Sequence, residues 1–213
     1  MNNDIYQTIK DRILNMEYHP GDILNEKVLA KEFGVSRTPL REVLNKLEWE
    51  RLVRVLPRTG TMVAEIEFQQ IMNTFQVRLG IEEMIGKLAS EHATADHHQR
   101  LEQLQIKCNV LFDNVDKAAL MAVDRELREI LNDGTNNPVL KNISESLYDL
   151  TARLWCVVLD NGDWKEEVQS VYDEIMQTLT VLKNGENDLG MMRRDWLIKH
   201  IDRIRRKFLG VIN

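Results

Sequence analysis

The stretch from Val28 to Gly60 constrains the fold of this chain most, because it encodes two short helices joined by a tight turn. Asn25 can cap the first helix, and Gly34 supplies the left-handed residue at which such a helix ends. A second helix begins at once and can be capped by Ser36 or Thr38. Its apolar residues recur at helical spacing and predict one buried face, formed by Leu40, Val43, Leu44 and Leu47. This pattern is typical of a helix-turn-helix.

A hairpin is predicted directly after the second helix. Two short segments rich in β-branched residues, 52–56 and 61–64, flank a turn at 57–60. A hairpin that follows a helix-turn-helix is the wing of a winged-helix domain. The tip of this wing presents Arg58, Thr59 and the bare backbone of Gly60.

Several motifs in this region carry a family resemblance, namely Pro20-Gly21, Ser36-Arg37-Thr38-Pro39-Leu40-Arg41-Glu42 and Gly60. Through them, residues 5–64 resemble the winged-helix domain of GntR-family transcription regulators. One departure is Arg51, at a position where the family usually carries glycine, and it alters a helix end. The resemblance implies that polar residues of the second helix and the wing contact DNA. These residues are Ser36, Arg37, Thr38, Arg41, Asn45, Arg58, Thr59 and Gly60.

The charge of the chain is acidic overall but basic where DNA contact is predicted. The net charge is −6, yet residues 1–66 hold ten basic and ten acidic residues, so 67–213 carries the whole excess. Within 36–61, six basic residues stand against three acidic ones. Phosphate contact requires only a local basic face, so the whole-chain charge does not exclude DNA binding. A solvated helix face remains the alternative for residues such as Arg37 and Asn45.

The remainder of the chain shows helical periodicity and no strand pattern. Six apolar stripes predict helices at about 69–93, 96–115, 117–132, 138–160, 164–183 and 187–209. Short connections favour an antiparallel bundle. The strand pattern stops at 65–68, which divides the chain into a winged helix-turn-helix at 1–66 and a helical domain at 67–213.

Motifs on successive helices of this half carry a second resemblance. They are Val77-Arg78-Leu79, Ile81-Glu82, Asp124, Leu127-Arg128, Asn137-Pro138-Val139-Leu140, Ile175, Leu179 and His200-Ile201. The pattern resembles the six-helix ligand-binding (FCD) domain of the FadR subfamily of GntR regulators. The resemblance implies a cavity in the bundle that binds a small effector. The polar residues expected to line it are Arg78, Asp124, Arg128, Tyr172 and His200.

Many relatives in this subfamily hold a divalent metal in that cavity, through an aspartate and a histidine of one helix and histidines of the last two. In this chain Asp124 and His200 match, but Arg128 and Tyr172 occupy the other two positions. Arginine stays protonated and offers no lone pair, and two ligands are too few for a tight zinc-type site. We therefore expect no metal cofactor. We expect instead an anionic metabolite, a carboxylate, held by Arg78 and Arg128.

Other interpretations of these residues remain open at the sequence level. Arg78 with Glu82 and Asp124 with Arg128 are i, i+4 pairs, which can be surface ion pairs or can plug the cavity. Asp124 and His200 could belong to a metal sensor or a metal-dependent enzyme. The chain could also be a helical interaction module whose winged helix no longer binds DNA. Because no phosphate loop, nucleophile elbow or HExxH motif occurs, we predict that the protein is not an enzyme.

The sequence as a whole predicts a mainly α-helical, ligand-responsive transcription regulator. A repressor that acts as a homodimer on a pseudo-palindromic operator in double-stranded DNA is the expected form, because one helix-turn-helix contacts only one half-site. Cys108 and Cys156 are isolated, which suits reduced thiols. The N-terminus lacks the pattern of a secretory signal, and the longest apolar run is Leu154–Leu159. These features lead us to expect a cytoplasmic protein with no membrane association.

Overall fold

The computed structural model describes residues 2–160, 162–185 and 188–212. Contacts along the chain divide it into two compact units, Met1–Ile71 and Met72–Asn213. The division falls a few residues beyond the boundary predicted after residue 66, which stays a prediction. The start predicted for the sixth bundle helix, position 187, lies outside the described residues.

The first unit contains three helices and a three-stranded antiparallel sheet. Its elements are α1 (Asn2–Leu14), β1 (Ile23–Leu24), α2 (Glu26–Glu32), α3 (Arg37–Trp49), β2 (Val53–Leu56) and β3 (Gly60–Val63). The predicted helix-turn-helix is α2 and α3, and the predicted wing is β2 and β3. The strand β1 was not predicted; it pairs with β3 so that the strand order is β1-β3-β2, with Ile23 opposite Met62.

Local residue chemistry sets the helix ends that position α3. The Asn25 side chain accepts hydrogen bonds from the backbone N–H groups of Lys27 and Val28, and so caps α2 as predicted. Gly34 has a φ of +64°, and the Val35 N–H donates to the Ala30 carbonyl at 3.0 Å, which closes the end of α2. The predicted apolar face of α3 is buried: Leu40, Val43, Leu44 and Leu47.

The second unit is helical throughout its described residues. Its elements are α4 (Phe68–Glu91), which begins in the first unit, α5 (Ala95–Val110), α6 (Lys117–Gly134), α7 (Pro138–Leu159), α8 (Trp164–Asn184) and α9 (Leu189–Ile212). Side chains at four N-termini accept backbone N–H groups: Thr94, Asp116, Asn137 and Asp163. The predicted fold class, a winged helix followed by six helices, is confirmed. None of the helices in the described ranges is both long enough and apolar enough to cross a membrane.

Candidate functional site

The exposed face of α3 and the β2–β3 hairpin enclose a groove of about 520 Å³. Six of the eight residues predicted to contact DNA line it: Arg37, Arg41, Asn45, Arg58, Thr59 and Gly60. The N-terminal part of α2 forms another wall, with Asn25, Glu26 and Lys27. This third wall was not predicted from the sequence. The groove is lined by four basic residues and one acidic residue, which makes it a candidate surface for a DNA backbone.

The other two predicted contact residues lie at the N-terminal end of α3 and do not line the groove. Ser36 is the N-cap residue, but its hydroxyl makes no capping hydrogen bond, and Thr38 is exposed in the first turn. The N-terminus of a helix carries partial positive charge and free N–H groups. Both hydroxyls are therefore placed where a phosphate oxygen would be attracted.

Arg41 is held from the side by a carboxylate of α2. Its Nε atom donates to Oε2 of Glu26 at 2.8 Å, while the Arg41 side chain is 61% exposed. The bond engages the inner nitrogen of the guanidinium, so the two terminal nitrogens can still meet a ligand in the groove. Glu26 itself is fixed at the first position of α2, directly after the cap.

The wing is attached to α3 by Glu48. Its Oε1 atom accepts the backbone N–H of Val55 at 2.7 Å, so this side chain serves the wing and not the DNA. At the wing tip, the Thr59 N–H donates to the Leu56 carbonyl at 3.1 Å, and Arg58 has a φ of +66°. That conformation usually belongs to glycine. Arg58 thus occupies the turn of the hairpin, and its side chain lines the groove.

A second, small cavity lies within the helical unit, with a volume of about 20 Å³. Four of the five residues predicted to bind an effector line it: Arg78, Asp124, Arg128 and His200. Apolar and aromatic side chains, among them Trp155, Trp196 and Leu197, complete the wall. The volume suffices for about one water molecule, so the described state has no room for a metabolite.

Tyr172 is not among the residues that line this cavity, and the expectation for it is corrected. Its hydroxyl accepts a hydrogen bond from Nε2 of Gln105 at 3.0 Å, and its ring packs edge-on against Phe112. Tyr172 therefore packs between α8 and α5. The α8 residue that lines the cavity is Glu174, which stands two positions later and so faces almost the opposite side of the helix.

Buried ion pairs surround the cavity. Arg78 donates to Oε1 of Glu82 at 2.9 Å and to the Thr151 hydroxyl at 2.6 Å. Arg128 donates to Oδ1 of Asp124 at 3.1 Å. The i, i+4 pairs of the sequence are thus real, one buried and one part-buried, and they are not surface ion pairs.

Two further charged residues, Glu174 and Arg193, connect these pairs. Glu174 accepts from Arg128 at 3.1 Å and from Arg193, whose other terminal nitrogen donates to Glu82 at 2.8 Å. Arg193 is 1% exposed. A signal for both residues exists in the sequence, because each stands at helical spacing from apolar residues: Glu174 from Val171 on α8, and Arg193 from Leu189 and Leu197 on α9.

Burial and charge fix the protonation of the polar groups at the cavity. Burial, assisted by Arg203, lowers the pKa of His200 to about 3, so the imidazole is neutral at physiological pH. Arg203 also lies 3.1 Å from Nδ1 of His200, and since arginine can only donate, Nδ1 must accept. Burial works to raise the pKa of Asp124, but Arg128 and the Tyr148 hydroxyl at 2.8 Å outweigh it and lower that pKa.

Metal-ligating groups are few at the cavity. Both carboxylate oxygens of Asp124 are engaged, one by Arg128 and one by Tyr148, and Nδ1 of His200 faces Arg203. Within the described ranges, no three His, Cys, Asp or Glu side chains are arranged to hold a metal ion.

The groove and the bundle together define a class of protein: a winged-helix DNA-binding unit joined to a helical domain of the ligand-binding type. Family models agree with both halves. Residues 1–63 match the bacterial regulatory proteins of the gntR family, and residues 73–181 match the FCD domain. The chain therefore belongs to the GntR family of transcription regulators, in the group that carries an FCD effector-binding domain. Members of this family bind DNA, and the prediction that the protein is a regulator and not an enzyme is confirmed.

Curated and solved relatives are similar over most of the chain. The uncharacterised HTH-type transcriptional regulator YdhC of Bacillus subtilis is 29% identical over 164 residues, which cover 76% of this chain and 72% of that protein. The HTH-type transcriptional repressor GlaR of Escherichia coli is 26% identical over 216 residues, covering 97% of each. The solved structure of E. coli McbR/YncC superposes with a TM-score of 0.87 at 21% identity, over 97% of this chain and 98% of that one, and shares the fold.

Proposed function

We propose that this protein is a homodimeric repressor that binds a pseudo-palindromic operator and responds to a small anionic metabolite. The observation that carries the DNA-binding part is the convergence of Arg37, Arg41 and Arg58, from two different elements, on one groove. Two-fold operators require two winged helices, which a homodimer supplies. Repression is the activity named for GlaR, which is similar to this chain over nearly its full length.

The residues of the groove take different roles in this proposal. Arg37, the first residue of α3, reads a base edge, because the N-terminus of a recognition helix enters the major groove and arginine pairs with guanine through two hydrogen bonds. Arg41 and Arg58 hold phosphates. Asn45, one turn beyond Arg41 on the same face, is within the same groove and can reach a second base.

Binding to the DNA upstream of the protein's own gene tests this function. Fluorescence anisotropy over a range of salt concentrations should give an affinity that falls steeply with salt. Arg37→Ala should cost about 1–3 kcal/mol and relax the sequence preference, whereas Arg58→Ala should weaken all sequences alike and lower the salt slope by about one. An Arg37→Ala variant with its operator preference intact would contradict the assigned role.

The effector site is proposed to be the cavity of the helical unit. Arg78 is buried there and Arg128 is part-buried, and both can offer charge-assisted hydrogen bonds to a carboxylate, while Asp124 and neutral His200 complete the polar lining. The volume of about 20 Å³ means that a ligand must displace side chains to enter.

The same cavity is proposed to work without a metal cofactor. The support is chemical: Arg128 places a permanent cation where a metal ion would lie, and it already engages Asp124. Elemental analysis of protein purified without a histidine tag should find no stoichiometric metal. Zinc, nickel or manganese at one equivalent per chain would support a metal-sensing regulator instead.

A further inference from the structure

Six charged groups beside the bundle cavity form one linked cluster whose positive and negative charges balance. Three guanidinium groups, of Arg78, Arg128 and Arg193, stand against three carboxylates, of Glu82, Asp124 and Glu174. All six lie in the interior, and His200 beside them is neutral. Adding one more anion to this cluster would leave an uncompensated buried charge, which is costly.

Glu174 is the carboxylate that joins two of these arginines. One of its oxygens accepts from Arg193, and the other accepts from Arg128 at 3.1 Å. The Nε atoms of both arginines are nonetheless buried and make no hydrogen bond to any described part of the chain. The pair therefore has more donors than Glu174 can satisfy, and buried donors without acceptors favour replacing Glu174 by an anion that is better placed to accept from them.

The position of Glu174 separates Arg193 from the cavity. Glu174 and Arg128 line the cavity, whereas Arg193 does not line it and is 1% exposed. Removing the Glu174 carboxylate would therefore open a space next to two arginines and connect it to the cavity. A small carboxylate has the size and charge to fill that space.

We propose that Glu174 is the built-in occupant of an anion subsite formed by Arg128 and Arg193, and that an anionic effector binds by displacing it. The inference rests on the proposed function, because it adds Arg193 to the effector site and specifies how room is made there. Displacement keeps the cluster balanced, since one negative charge leaves as another arrives. It also explains how a cavity with room for about one water can accept a metabolite.

The chemistry of Glu174 supports a displaceable group. Burial, opposed by Arg128 but assisted by Asp124 and Glu82, raises the pKa of Glu174 to about 7. The carboxylate is thus held in its charged form only weakly near neutral pH. An incoming anion of lower pKa would hold its charge more firmly beside the same arginines.

Chemical rescue of a Glu174→Ala variant by acetate tests the subsite. The substitution removes a CH₂–COO⁻ group, which acetate matches in size and charge. Thermal unfolding of the full chain should show a Tm about 10 °C below that of the wild type, because two buried arginines lose their shared partner. Sodium acetate should then raise this Tm by about 5 °C in a saturable manner, beyond the effect of sodium chloride at the same ionic strength and pH.

Two matched variants act as controls. Glu174→Gln fills the subsite with a neutral group of the same shape, so acetate should stabilise it no more than chloride does. Glu166→Ala removes a carboxylate of the same helix whose side chain is 69% exposed, and acetate should not rescue it. If Glu174→Ala is unfolded in chloride, recovery of its helical circular dichroism signal in acetate is the readout.

The proposal is overturned if acetate and chloride act alike on Glu174→Ala, or if neither restores its fold. It is also overturned if acetate stabilises the Gln variant to the same extent. None of these measurements uses DNA. The outcome is therefore separate from operator binding by the wild-type protein, which tests the proposed function on its own.

Discussion

At Glu26, a single substitution should change the affinity of the groove for DNA and its preference for the operator in opposite directions. It lies in the groove beside Arg37, Arg41 and Arg58, and it accepts from Nε of Arg41 at 2.8 Å. Glu26→Gln removes a negative charge that repels phosphates and also frees the Arg41 side chain. We expect non-operator DNA to bind up to about fivefold more tightly, and the ratio of operator to non-operator affinity to fall.

The matched control for this prediction is Glu42→Gln. Glu42 is an exposed carboxylate of α3 that does not line the groove. Both variants change the net charge equally, so a general electrostatic effect would appear in both. Equal specificity ratios for Glu26→Gln and the wild type, measured by competition anisotropy, would show that the Glu26–Arg41 pair does not restrict the phosphate contact of Arg41 to the operator complex.

His200 and Glu174 predict opposing pH dependences of stability. The pKa of His200 falls from 6.5 to about 3 on folding, mainly through burial, so the unfolded state binds the extra proton between these values and acid destabilises the fold. The pKa of Glu174 rises from 4.5 to about 7, also through burial, so the folded state keeps the extra proton and acid stabilises it. Between pH 4.5 and 6.5 the two slopes, each about 1.4 kcal/mol per pH unit, cancel.

Substituting one of the two residues should reveal the pH dependence of stability that the other one causes. In urea unfolding at about pH 5 and about pH 6.5, Glu174→Gln should lose up to about 2 kcal/mol on acidification, because only the His200 effect remains. His200→Gln should change in the opposite direction. The wild type, with both groups, is the reference and should vary least. Parallel pH profiles for the two variants would refute the assignment.

At the scale of elements, α4 and α9 cross at a pair of glycines. A Cβ atom at Gly86 would lie 2.6 Å from the Leu189 carbonyl oxygen, and one at Gly190 would lie 2.7 Å from the Glu83 carbonyl oxygen. Because the obstructing atoms are backbone, neither helix can yield without moving as a whole. Gly86→Ala should therefore lower the free energy of unfolding by about 1–3 kcal/mol, although alanine favours an isolated helix.

Lys87→Ala provides the control in the same helix. Lys87 is exposed, so its substitution should change stability by less than about 0.5 kcal/mol. Urea unfolding of both variants and the wild type measures the difference. A Gly86→Ala variant as stable as the wild type would mean that the two helices are free to separate at this crossing.

The same elements show what periodicity can and cannot predict. The apolar stripes gave the number and order of the bundle helices, and the wing followed from β-branched residues around a turn. The strand β1 has only two residues, Ile23 and Leu24, and forms only because β3 offers it a partner, so no local pattern reveals it. Likewise, a glycine such as Gly86 reads as a weak point of a helix until the neighbouring backbone is known.

The residues of the bundle site were predictable only in part, because the burial of a charged residue depends on contacts distant in sequence. Arg78, Asp124 and His200 were found because they match family motifs, and Arg128 because it stands where many relatives carry a histidine; all four line the cavity. Glu174 and Arg193 were not predicted, and Tyr172 was predicted as the α8 residue of the site, where Glu174 lines the cavity. Their register with apolar stripes was the available signal. Whether a charge in such a register is buried depends on a partner elsewhere in the chain, and sequence spacing does not show that partner.

At the scale of the whole molecule, the helical unit carries an exposed apolar stripe suited to pairing two chains. On α4, Val77 and Met84 are 53% and 52% exposed, Gly80 is exposed between them, and Ile81 and Leu88 are half-buried on the same face. The spacing i, i+3, i+4, i+7, i+11 places all five along one side of the helix. Covering such a stripe with the same stripe of a second chain would remove its apolar surface from water, which favours dimerisation.

The proposed homodimer, paired through this stripe, predicts that Met84→Glu separates the chains. A carboxylate at the centre of an apolar contact would be desolvated without a partner, so dimerisation should weaken by tenfold or more, on the order of 2 kcal/mol. Sedimentation velocity of the full chain at micromolar concentration should give twice the chain mass of 24.9 kDa for the wild type and the single mass for the variant. Operator affinity should fall with it, while binding to an isolated half-site persists, because the groove is unchanged.

Ile106→Glu, on α5 at 67% exposure, adds the same charge outside the stripe and should stay dimeric. A wild-type monomer, or a Met84→Glu dimer, would count against this face.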